Sequence, residues 1–479
     1  MSEPISTAAQ CRALDADVID GLGVPGVALM EVASRGVALA LLERWPDAHE
    51  RGVLVVTGAG NNGGDGFGCA RWLHTAGVPV RIWALSDRLA GDAAVMRDAV
   101  VKQGVPFVDG PGGEGIVVDA VFGTGLAREV SGAYATALER LASLAVPVVA
   151  VDLPSGLHAD TGAVLGMVLP ADLTVTFGRL KQAFFTPGAR HCGQVQRVDI
   201  GVHRTRHASA HLTERTDLTW PDRDVHAFKN RLGHLAVVAG SEAMAGAAVL
   251  SCLGAVRSGV GLVTLLTVPE ALPRLTGLPA SVMVRTGTLV ESLERARDYD
   301  AIAVGPGVGG GHPLGPHDVA ALAALWAADR PVVFDADALV AHDGPAGPAV
   351  VVTPHPGEAG RLLGRSAGAV ESDRFGAARD LARSGATVLL KGRHTLIAHG
   401  DGVFVNPTGA PTLATAGSGD VLTGLLGGLL ARGVAPIDAT RLAAWVHGRA
   451  GERLHEQRAE GWIADDIAGA LPGAIAELV

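Results

Sequence analysis

Residues 52–66 read GVLVVTGAGNNGGDG, in which a β-branched apolar run, Gly52–Thr57, is followed at once by a glycine-rich segment. Residues 67–76 continue with a helical pattern. Glycines between a strand and a helix let backbone N–H groups approach a ligand, and the helix N-terminus adds partial positive charge. The segment therefore predicts a βα unit of an α/β sheet, with an anion-binding site where the strand ends.

The same alternation of apolar runs and helical patterns continues through the first half of the chain. A helical region, Ser6–Arg44, comes before the first run and is expected to cover one face of the sheet. The other predicted strands of this half are residues 78–84, 115–121, 146–151 and 173–177. Strands that alternate with helices predict βαβ units and a mainly parallel sheet.

The alternation stops at residues 201–224, where His, Arg and Thr are frequent and no strand is predicted, and then it starts again. The predicted strands of the second half are residues 235–239, 261–268, 301–305, 331–335, 350–353, 387–390 and 396–398. Because a chain of 479 residues exceeds what one core usually organises, we predict two different α/β domains, at residues 1–210 and 222–479.

Composition excludes several kinds of partner. The chain has 39 Lys and Arg against 49 Asp and Glu, a net charge of −10, and no basic tract, so a nucleic-acid partner is not expected. No charged and apolar leader opens the chain, and no apolar run is long enough to span a bilayer, so we expect no membrane partner. The four cysteines lack a zinc-binding or disulfide pattern, which fits a reducing cytoplasm; they are Cys11, Cys69, Cys192 and Cys252. The four lysines stand out among the many arginines; they are Lys102, Lys181, Lys229 and Lys391.

Two aspartates stand where apolar runs of the first half end. Asp119 opens the string DAVFGTG, residues 119–125, and Asp152 opens DLPSG, residues 152–156. Open α/β sheets place ligands at the carboxyl ends of their strands, and a carboxylate gains nothing from burial there without a partner. Each aspartate alone could be a helix cap, and NNGGDG, residues 61–66, could serve turn geometry alone. Together they favour one shared pocket.

These three strings, in this order and spacing, resemble the epimerase domain of the NAD(P)H-hydrate repair enzymes over about the first 200 residues. The resemblance implies a Rossmann-like three-layer αβα domain that interconverts the R and S epimers at the hydrated C6 of NADH or NADPH. It implies that Asp152 is the acid/base and also contacts the hydrate. The other implied hydrate contacts are Asn61, Asn62, Gly63, Gly64, Asp65, Gly123, Thr124, Gly125, Leu126, Ala127, Arg128 and Glu129. The implied potassium ligands are Asn62, Asp119 and Ser155, whose oxygen atoms suit a hard cation. His158 departs from the pattern, which has Asp there.

The second half contains TAGSGD, residues 415–420, followed by the apolar helical run Val421–Leu430. Glycines that open a helix can bind a phosphate through backbone N–H groups, and Asp420 would meet a substrate hydroxyl as a general base. The alternative is that Ser418 or Asp420 is a simple helix cap. Four other polar strings follow predicted strands, which favours a functional site: GPGVG at 305–309, DADA at 335–338, TPHPGE at 353–358 and KGRHT at 391–395.

Together these strings resemble the ribokinase-like fold, and TPHPGE, GSGD and residues 240–247 narrow the resemblance to the ADP-dependent (S)-NAD(P)H-hydrate dehydratases, over about residues 222–479. The resemblance implies ADP as co-substrate, a magnesium ion, and Asp420 as the base. The implied hydrate contacts are Ala247, Gly307, His355 and Asp420, and the implied nucleotide contacts are Lys391, Gly392, Arg393, His394, Thr395 and Gly419. Taken alone, His355 would more often be a packed or capping histidine, and Lys391 could be an ordinary residue at a strand end.

Both resemblances together imply a bifunctional repair enzyme that epimerises NAD(P)H hydrate and dehydrates the S epimer with ADP, releasing AMP and phosphate. By analogy with relatives they also imply a homo-oligomer, possibly a tetramer. Two alternatives stay open on the sequence: a ribokinase-like small-molecule kinase with an N-terminal nucleotide-sensing domain, and an N-terminal domain that binds without catalysing. The sequence does not decide between ADP and ATP, or between the hydrates of NADH and NADPH.

Overall fold

A computed structural model describes residues 2–204, 206–223, 226 and 228–479 and divides the chain into two compact units. One unit is Pro4–Ser209, and the other comprises Ala210–Val479 with the residues before Pro4. Thr205 and Asp224, in the segment predicted to separate the domains, lie outside the described residues.

The N-terminal unit contains a six-stranded parallel sheet. The first eight strands of the chain, six of which form this sheet, are β1 Glu3–Ser6, β2 Val53–Thr57, β3 Val80–Ala84, β4 Ile116–Ala120, β5 Val148–Val151, β6 Leu173–Phe177, β7 Leu180–Lys181 and β8 Gln194–Val198. The sheet order is β3-β2-β4-β5-β6-β8, with Val55 opposite both Ile82 and Val118, while β1 pairs with β7. Every residue of β2, β4 and β5 is buried, which is why these strands are runs of apolar and β-branched residues, with Asp119 of β4 as the exception.

Helices cover both faces of this sheet. They are α1 Ala8–Ala16, α2 Gly26–Arg44, α3 Ala48–Arg51, α4 Asn61–Thr75, α5 Gly91–Gln103 and α6 Gly132–Ala142, with a π-helical turn at Asp17–Gly21 and 3₁₀ turns at Gln182–Phe185 and Pro187–His191. Val53 and Val55 of β2 pack with α2, α4 and α5, whereas Leu54 and Val56 pack with α6 on the opposite face. This is the three-layer αβα arrangement predicted for the first domain.

The C-terminal unit is built on a larger mixed sheet. Its strands are β9 Ala210–Leu212, β10 His234–Val238, β11 Leu262–Thr267, β12 Met283–Thr286, β13 Ala301–Val304, β14 Val332–Phe334, β15 Val350–Val352, β16 Thr387–Leu390, β17 Leu396–His399 and β18 Gly402–Val405. The order is β12-β11-β10-β13-β14-β15-β16-β17-β18-β9. Strands are parallel from β12 to β16, and β17 runs antiparallel to both of its neighbours.

The helices of the C-terminal unit are α7 Ala245–Arg257, α8 Leu289–Ala296, α9 Pro316–Trp326, α10 Pro356–Leu363, α11 Ala367–Ser372, α12 Arg374–Ala382, α13 Ser418–Ala431, α14 Pro436–Gln457 and α15 Ala464–Ile475. Short 3₁₀ turns lie at Arg215–Asp217, Lys229–Arg231, Pro269–Arg274, Ala336–Ala341 and Pro411–Leu413. The α13 backbone packs directly on α7, because a Cβ on Gly424 would lie 1.8 Å from the Ser251 carbonyl oxygen. That close packing fixes the first turn of α13, where Asp420 lies.

Several predicted elements need correction. The helix predicted to start at Phe67 begins at Asn61, and the region Ser6–Arg44 is divided into the end of β1, then α1, the π-helical turn and α2. The segment 201–224 was predicted to lack strands, yet it contains β9. Among the described residues, no helix is long and apolar enough to span a bilayer.

Candidate active sites

A cavity of about 780 Å³ opens in the N-terminal unit, at the carboxyl ends of its strands. Three parts of its wall come from α1, from the start of α4 and from the segment after β4. The predicted hydrate contacts that line it are Asn61, Asn62, Asp65, Gly123, Thr124, Gly125, Leu126, Arg128, Glu129 and Asp152. Gly63, Gly64 and Ala127 are not among its lining residues.

The NNGGDG segment is the first part of a helix, since α4 begins at Asn61 with Gly60 at its N-cap. Its glycines allow close packing: a Cβ on Gly63 would lie 2.2 Å from the Gly58 carbonyl oxygen, and one on Gly66 would lie 2.4 Å from the Ala120 Cβ. The helix start is therefore held against the end of β4, with the two asparagines at the cavity wall.

Asp152 lies directly after β5 in a left-handed conformation, with φ of 66°, which is uncommon for a residue other than glycine. Its Oδ1 accepts hydrogen bonds from Lys181 Nζ at 2.5 Å and Thr176 Oγ1 at 3.1 Å. Its Oδ2 faces Gly123, where a Cβ would lie 3.4 Å from that oxygen and 2.7 Å from Asn62 Oδ1. One carboxylate oxygen is thus fixed and the other is directed to the segment predicted to hold the hydrate.

Lys181 is a site residue that the sequence analysis did not assign. Its ammonium group is buried and also donates to Thr176 Oγ1 at 2.8 Å and the Phe177 carbonyl oxygen at 3.0 Å. Burial disfavours the charged form, but Asp152 and other neighbouring acids outweigh it and raise the pKa of Lys181 above its usual value. The available signal was the scarcity of lysine in this chain.

Helix α1 adds further unassigned groups, because Cys11, Arg12 and Asp15 also line the cavity. Burial raises the pKa of Asp15, and it raises that of Asp65 well above the usual range, with the charges of Asp152 and Asp15 adding to the effect. Carboxyl groups of this kind retain a proton to higher pH than free ones, so Asp15 and Asp65 add proton donors to the wall of the cavity.

Asp119 and Ser155 lie together behind the cavity wall. The Asp119 carboxylate is completely buried and accepts hydrogen bonds from Ser155 Oγ at 2.6 Å, Ser155 N at 2.8 Å and Val121 N at 3.2 Å. Burial raises the pKa of Asp119 to about 6, although these hydrogen bonds lower it. Among the described residues no cationic side chain pairs with Asp119, and the Asn62 amide nitrogen is buried without a hydrogen-bond partner.

The candidate site of the C-terminal unit surrounds the first turn of α13. Gly417 precedes this helix with φ of 86°, and Asp420 lies half-buried in the first turn. Burial, and then the charge of Asp335, raise the pKa of Asp420 to about 7, while Lys391 acts in the opposite direction. A carboxylate with this pKa can accept and return a proton near neutral pH.

Lys391 brings a positive charge to this site. Its Nζ lies 2.9 Å from Asp335 Oδ1 and 3.9 Å from Glu358 Oε2. A Cβ on Gly419 would lie 3.4 Å from the same Nζ, which places the ammonium group beside the glycine predicted to bind phosphate. The structure therefore brings Lys391, Gly419 and Asp420 together; Asp335 and Glu358 were quoted in the sequence strings without a role.

The remaining predicted residues fall in three places. Gly307 and Ala247 are neighbours, since a Cβ on Gly307 would lie 3.1 Å from the Ala247 Cβ. His355 caps α10, where its Nδ1 accepts hydrogen bonds from the backbone N of Gly357 and Glu358, which is the capping role given above as the alternative. Its side chain is half exposed. The segment of Gly392, Arg393, His394 and Thr395 turns around the buried Arg374, which donates to the carbonyl oxygens of Lys391 and His394.

Comparison with known proteins gives two family matches. Residues 235–473 match the NAD(P)H-hydrate dehydratase family model, and residues 26–183 match the model of the YjeF-related protein N-terminus. Bifunctional NAD(P)H-hydrate repair enzymes of Moorella thermoacetica and Thermofilum pendens are 35% and 34% identical to this chain, with 98% and 99% of it covered and 96% of each relative. An ADP/ATP-dependent NAD(P)H-hydrate dehydratase of Bacillus subtilis, co-crystallised with ATP and Mg²⁺, matches 55% of this chain and 96% of its own with a TM-score of 0.50 and 32% identity.

Proposed function

The chain belongs to the family of bifunctional NAD(P)H-hydrate repair enzymes, and we propose that its two activities reside in the two sites just described, epimerisation at Asp152 and dehydration at Asp420. The predicted family, α/β fold and bifunctional activity are confirmed, so the small-molecule kinase is set aside. The observation that carries the placement is that each unit has its own aspartate among the predicted substrate contacts. Recovery of NADH from the R epimer in the presence of ADP tests both activities together.

We propose domain limits at residues 1–210 and 222–479, which the division of the chain between Ser209 and Ala210 supports. A homo-oligomer and a cytoplasmic location stay predictions. The four free cysteines, Cys11, Cys69, Cys192 and Cys252, are in keeping with a reducing compartment.

The epimerase step inverts C6 of the hydrate, which carries a hydroxyl group beside the ring nitrogen. Inversion requires that one bond to C6 breaks and re-forms on the other face, and a proton must move between substrate and enzyme as it does. Asp152 is placed for this transfer because Oδ2 faces Gly123 while Lys181 and Thr176 hold Oδ1. The ammonium group of Lys181 also fixes the carboxylate in place, since it pairs with Oδ1 at 2.5 Å.

Asn62, Asp119 and Ser155 fit a potassium ion. They supply oxygen ligands, and Asp119 is a completely buried carboxylate without a cationic partner among the described residues. A bound cation would compensate that charge and would fix Asn62 and Ser155 next to Asp152. No step of the epimerisation needs to pass through the ion.

Replacing Asp119 with Asn is expected to remove the dependence of epimerisation on potassium, because the neutral amide no longer attracts a cation. The measurement is the rate of R-to-S conversion over a potassium chloride series, with choline chloride keeping the ionic strength constant. A thermal melt of the variant serves as the control for folding. If the rate of R-to-S conversion by the wild-type enzyme does not change with potassium concentration, the proposed potassium site is wrong.

The dehydration step must turn a poor leaving group, hydroxide, into a better one. We propose that Asp420 takes the proton of the C6 hydroxyl group. As it does so, the hydroxyl oxygen attacks the terminal phosphate of ADP, and AMP leaves. The C6–O bond then breaks as inorganic phosphate departs, a proton is lost from C5, and the ring double bond is restored. Lys391 and the backbone at Gly419 would hold the transferred phosphate. The nucleotide would bind with magnesium, as in the Bacillus subtilis relative, which neutralises phosphate charge.

A further inference from the structure

Asp335 is a buried carboxylate between two elements of the dehydratase site. It follows β14, is 2% exposed, and accepts hydrogen bonds from Lys391 Nζ at 2.9 Å through Oδ1 and from Thr423 Oγ1 at 2.7 Å through Oδ2. Lys391 follows β16, and Thr423 lies one turn after Gly419 on α13. Asp335 thus links the strand end that carries the ammonium group to the helix that carries Asp420.

The linkage lies directly beside the proposed phosphate position. A Cβ on Gly419 would be 3.4 Å from Lys391 Nζ and 4.0 Å from Asp335 Oδ2. Apart from the two residues next to Gly419 in the chain, no other described side chain comes within 4 Å of that position, so a phosphate bound at the start of α13 would meet the ammonium group first. Asp335 itself is buried, and both of its carboxylate oxygens accept hydrogen bonds from within the protein.

Two further helices, α10 and α14, bring titratable groups to this point. Glu358 of α10 lies 3.9 Å from Lys391 Nζ and 3.4 Å from His355 Nε2, and His447 of α14 contacts Ser418. Burial lowers the pKa of His447 to about 4, so it is neutral at pH 7. The charges that act on Asp420 are therefore mainly those of Asp335 and Lys391.

The two partners keep each other ionised. Burial opposes the charge of Asp335, but Lys391 and the hydrogen bond from Thr423 outweigh it and lower its pKa. Burial likewise opposes the charge of Lys391, and Asp335 and Glu358 outweigh it and raise that pKa. A buried pair of this kind holds both side chains in one place, because separating them would leave a charge without a partner.

We propose that Asp335 is a positioning residue for dehydration: it holds the Lys391 ammonium group at the phosphate position beside Gly419 and keeps it from pairing with Asp420. This inference rests on the proposed roles of Lys391 and Asp420. It assigns Asp335 no contact with the hydrate or the nucleotide. Its effect reaches the reaction through Lys391, as weaker nucleotide binding, and through Asp420, as a change in its acidity.

Asp335→Asn tests the proposal. Without the negative charge, Lys391 is released toward Asp420, and the repulsion that raises the Asp420 pKa is lost. We expect the KM for ADP to rise about tenfold, and the midpoint of the rising limb of kcat/KM against pH to move about one unit toward acid, because Asp420 is active when deprotonated. Asp401→Asn, an exposed change of the same charge, is the matched control and should leave both values unchanged.

A purely structural role would lower the melting temperature and the amount of active enzyme without moving that midpoint, and this result would overturn the proposal. If Asp335→Asn does not fold, Thr423→Val decides, since it keeps the charge of Asp335 and removes only the hydrogen bond to Oδ2. Its KM for ADP should rise at least about threefold. An unchanged KM would overturn the proposal. Dehydration of the S hydrate by the wild-type enzyme is measured alongside; its absence would contradict the proposed function and not the role of Asp335.

Discussion

Asp420→Asn is expected to lower the turnover of dehydration by about a thousandfold or more, while the rate of epimerisation stays at the wild-type value. The amide fits at the start of α13 in place of the carboxylate, but it cannot accept the hydroxyl proton, and general-base catalysis contributes factors of about 10² to 10⁴. The loss should appear in kcat, because Lys391 and the Gly419 backbone still hold the nucleotide phosphate.

The measurement is the ADP-dependent rise of NADH absorbance from the S epimer at saturating ADP. Asp401→Asn carries the same change of charge at an exposed position and is expected to behave as the wild type. Retention of more than about a tenth of the wild-type kcat would mean that another group acts as the base. Binding of ADP, measured by calorimetry, confirms that the site of the variant remains formed.

Asp152→Asn is expected to lower the rate of R-to-S conversion by about a thousandfold, while dehydration of the S epimer is unaffected. The amide cannot accept a proton, and the buried Lys181 loses the carboxylate with which it pairs at 2.5 Å. When a mixture of both epimers is supplied with ADP, the variant should rapidly recover NADH from the S fraction and then only at the rate of uncatalysed epimerisation.

The control must separate chemistry from folding, because an unpaired buried lysine destabilises a protein. Thr176→Val removes the hydrogen bond to the same carboxylate oxygen and the one that Thr176 accepts from Lys181, but it keeps the pair of Asp152 and Lys181 and should retain most of the epimerase rate. Asp109→Asn, on the surface, matches the change of charge. An Asp152→Asn enzyme with the wild-type melting temperature and undiminished epimerisation would show that the N-terminal unit only binds the hydrate, or that another residue is the acid/base.

The strands were predictable because most lie inside parallel sheets with helices on their faces. A strand buried on both faces is a run of apolar and β-branched residues, so residues 173–177 and 387–390 were predicted with the bounds they have. Strands with exposed positions gave no such signal, and β12 at Met283–Thr286 was therefore missed. The start of α4 was misplaced because Asn and Gly are poor helix formers, whereas packing against β4 imposes the helix from Asn61.

The sequence predicted those parts of the candidate sites that lie in the glycine and aspartate motifs. Lys181 and Asp335 stayed without a role because each depends on a partner distant in sequence, 29 residues away for Lys181 and Asp152, and 56 for Asp335 and Lys391. The contribution of α1 to the epimerase cavity has the same origin, since only the fold brings Asp15 to the wall that also holds Asp152. The sequence motifs show where strands end, but only the folded structure shows which strand ends lie together in one site.

The most direct test of the two-site account is the repair of a single epimer by the full-length chain. The enzyme receives the R epimer of NADH hydrate with potassium and magnesium ions, first without ADP and then with it. The account predicts formation of the S epimer without any NADH in the first stage, and complete recovery of NADH with an equal amount of inorganic phosphate in the second. Accumulation of a stable phosphoester without NADH, or recovery no faster than uncatalysed epimerisation allows, would contradict it.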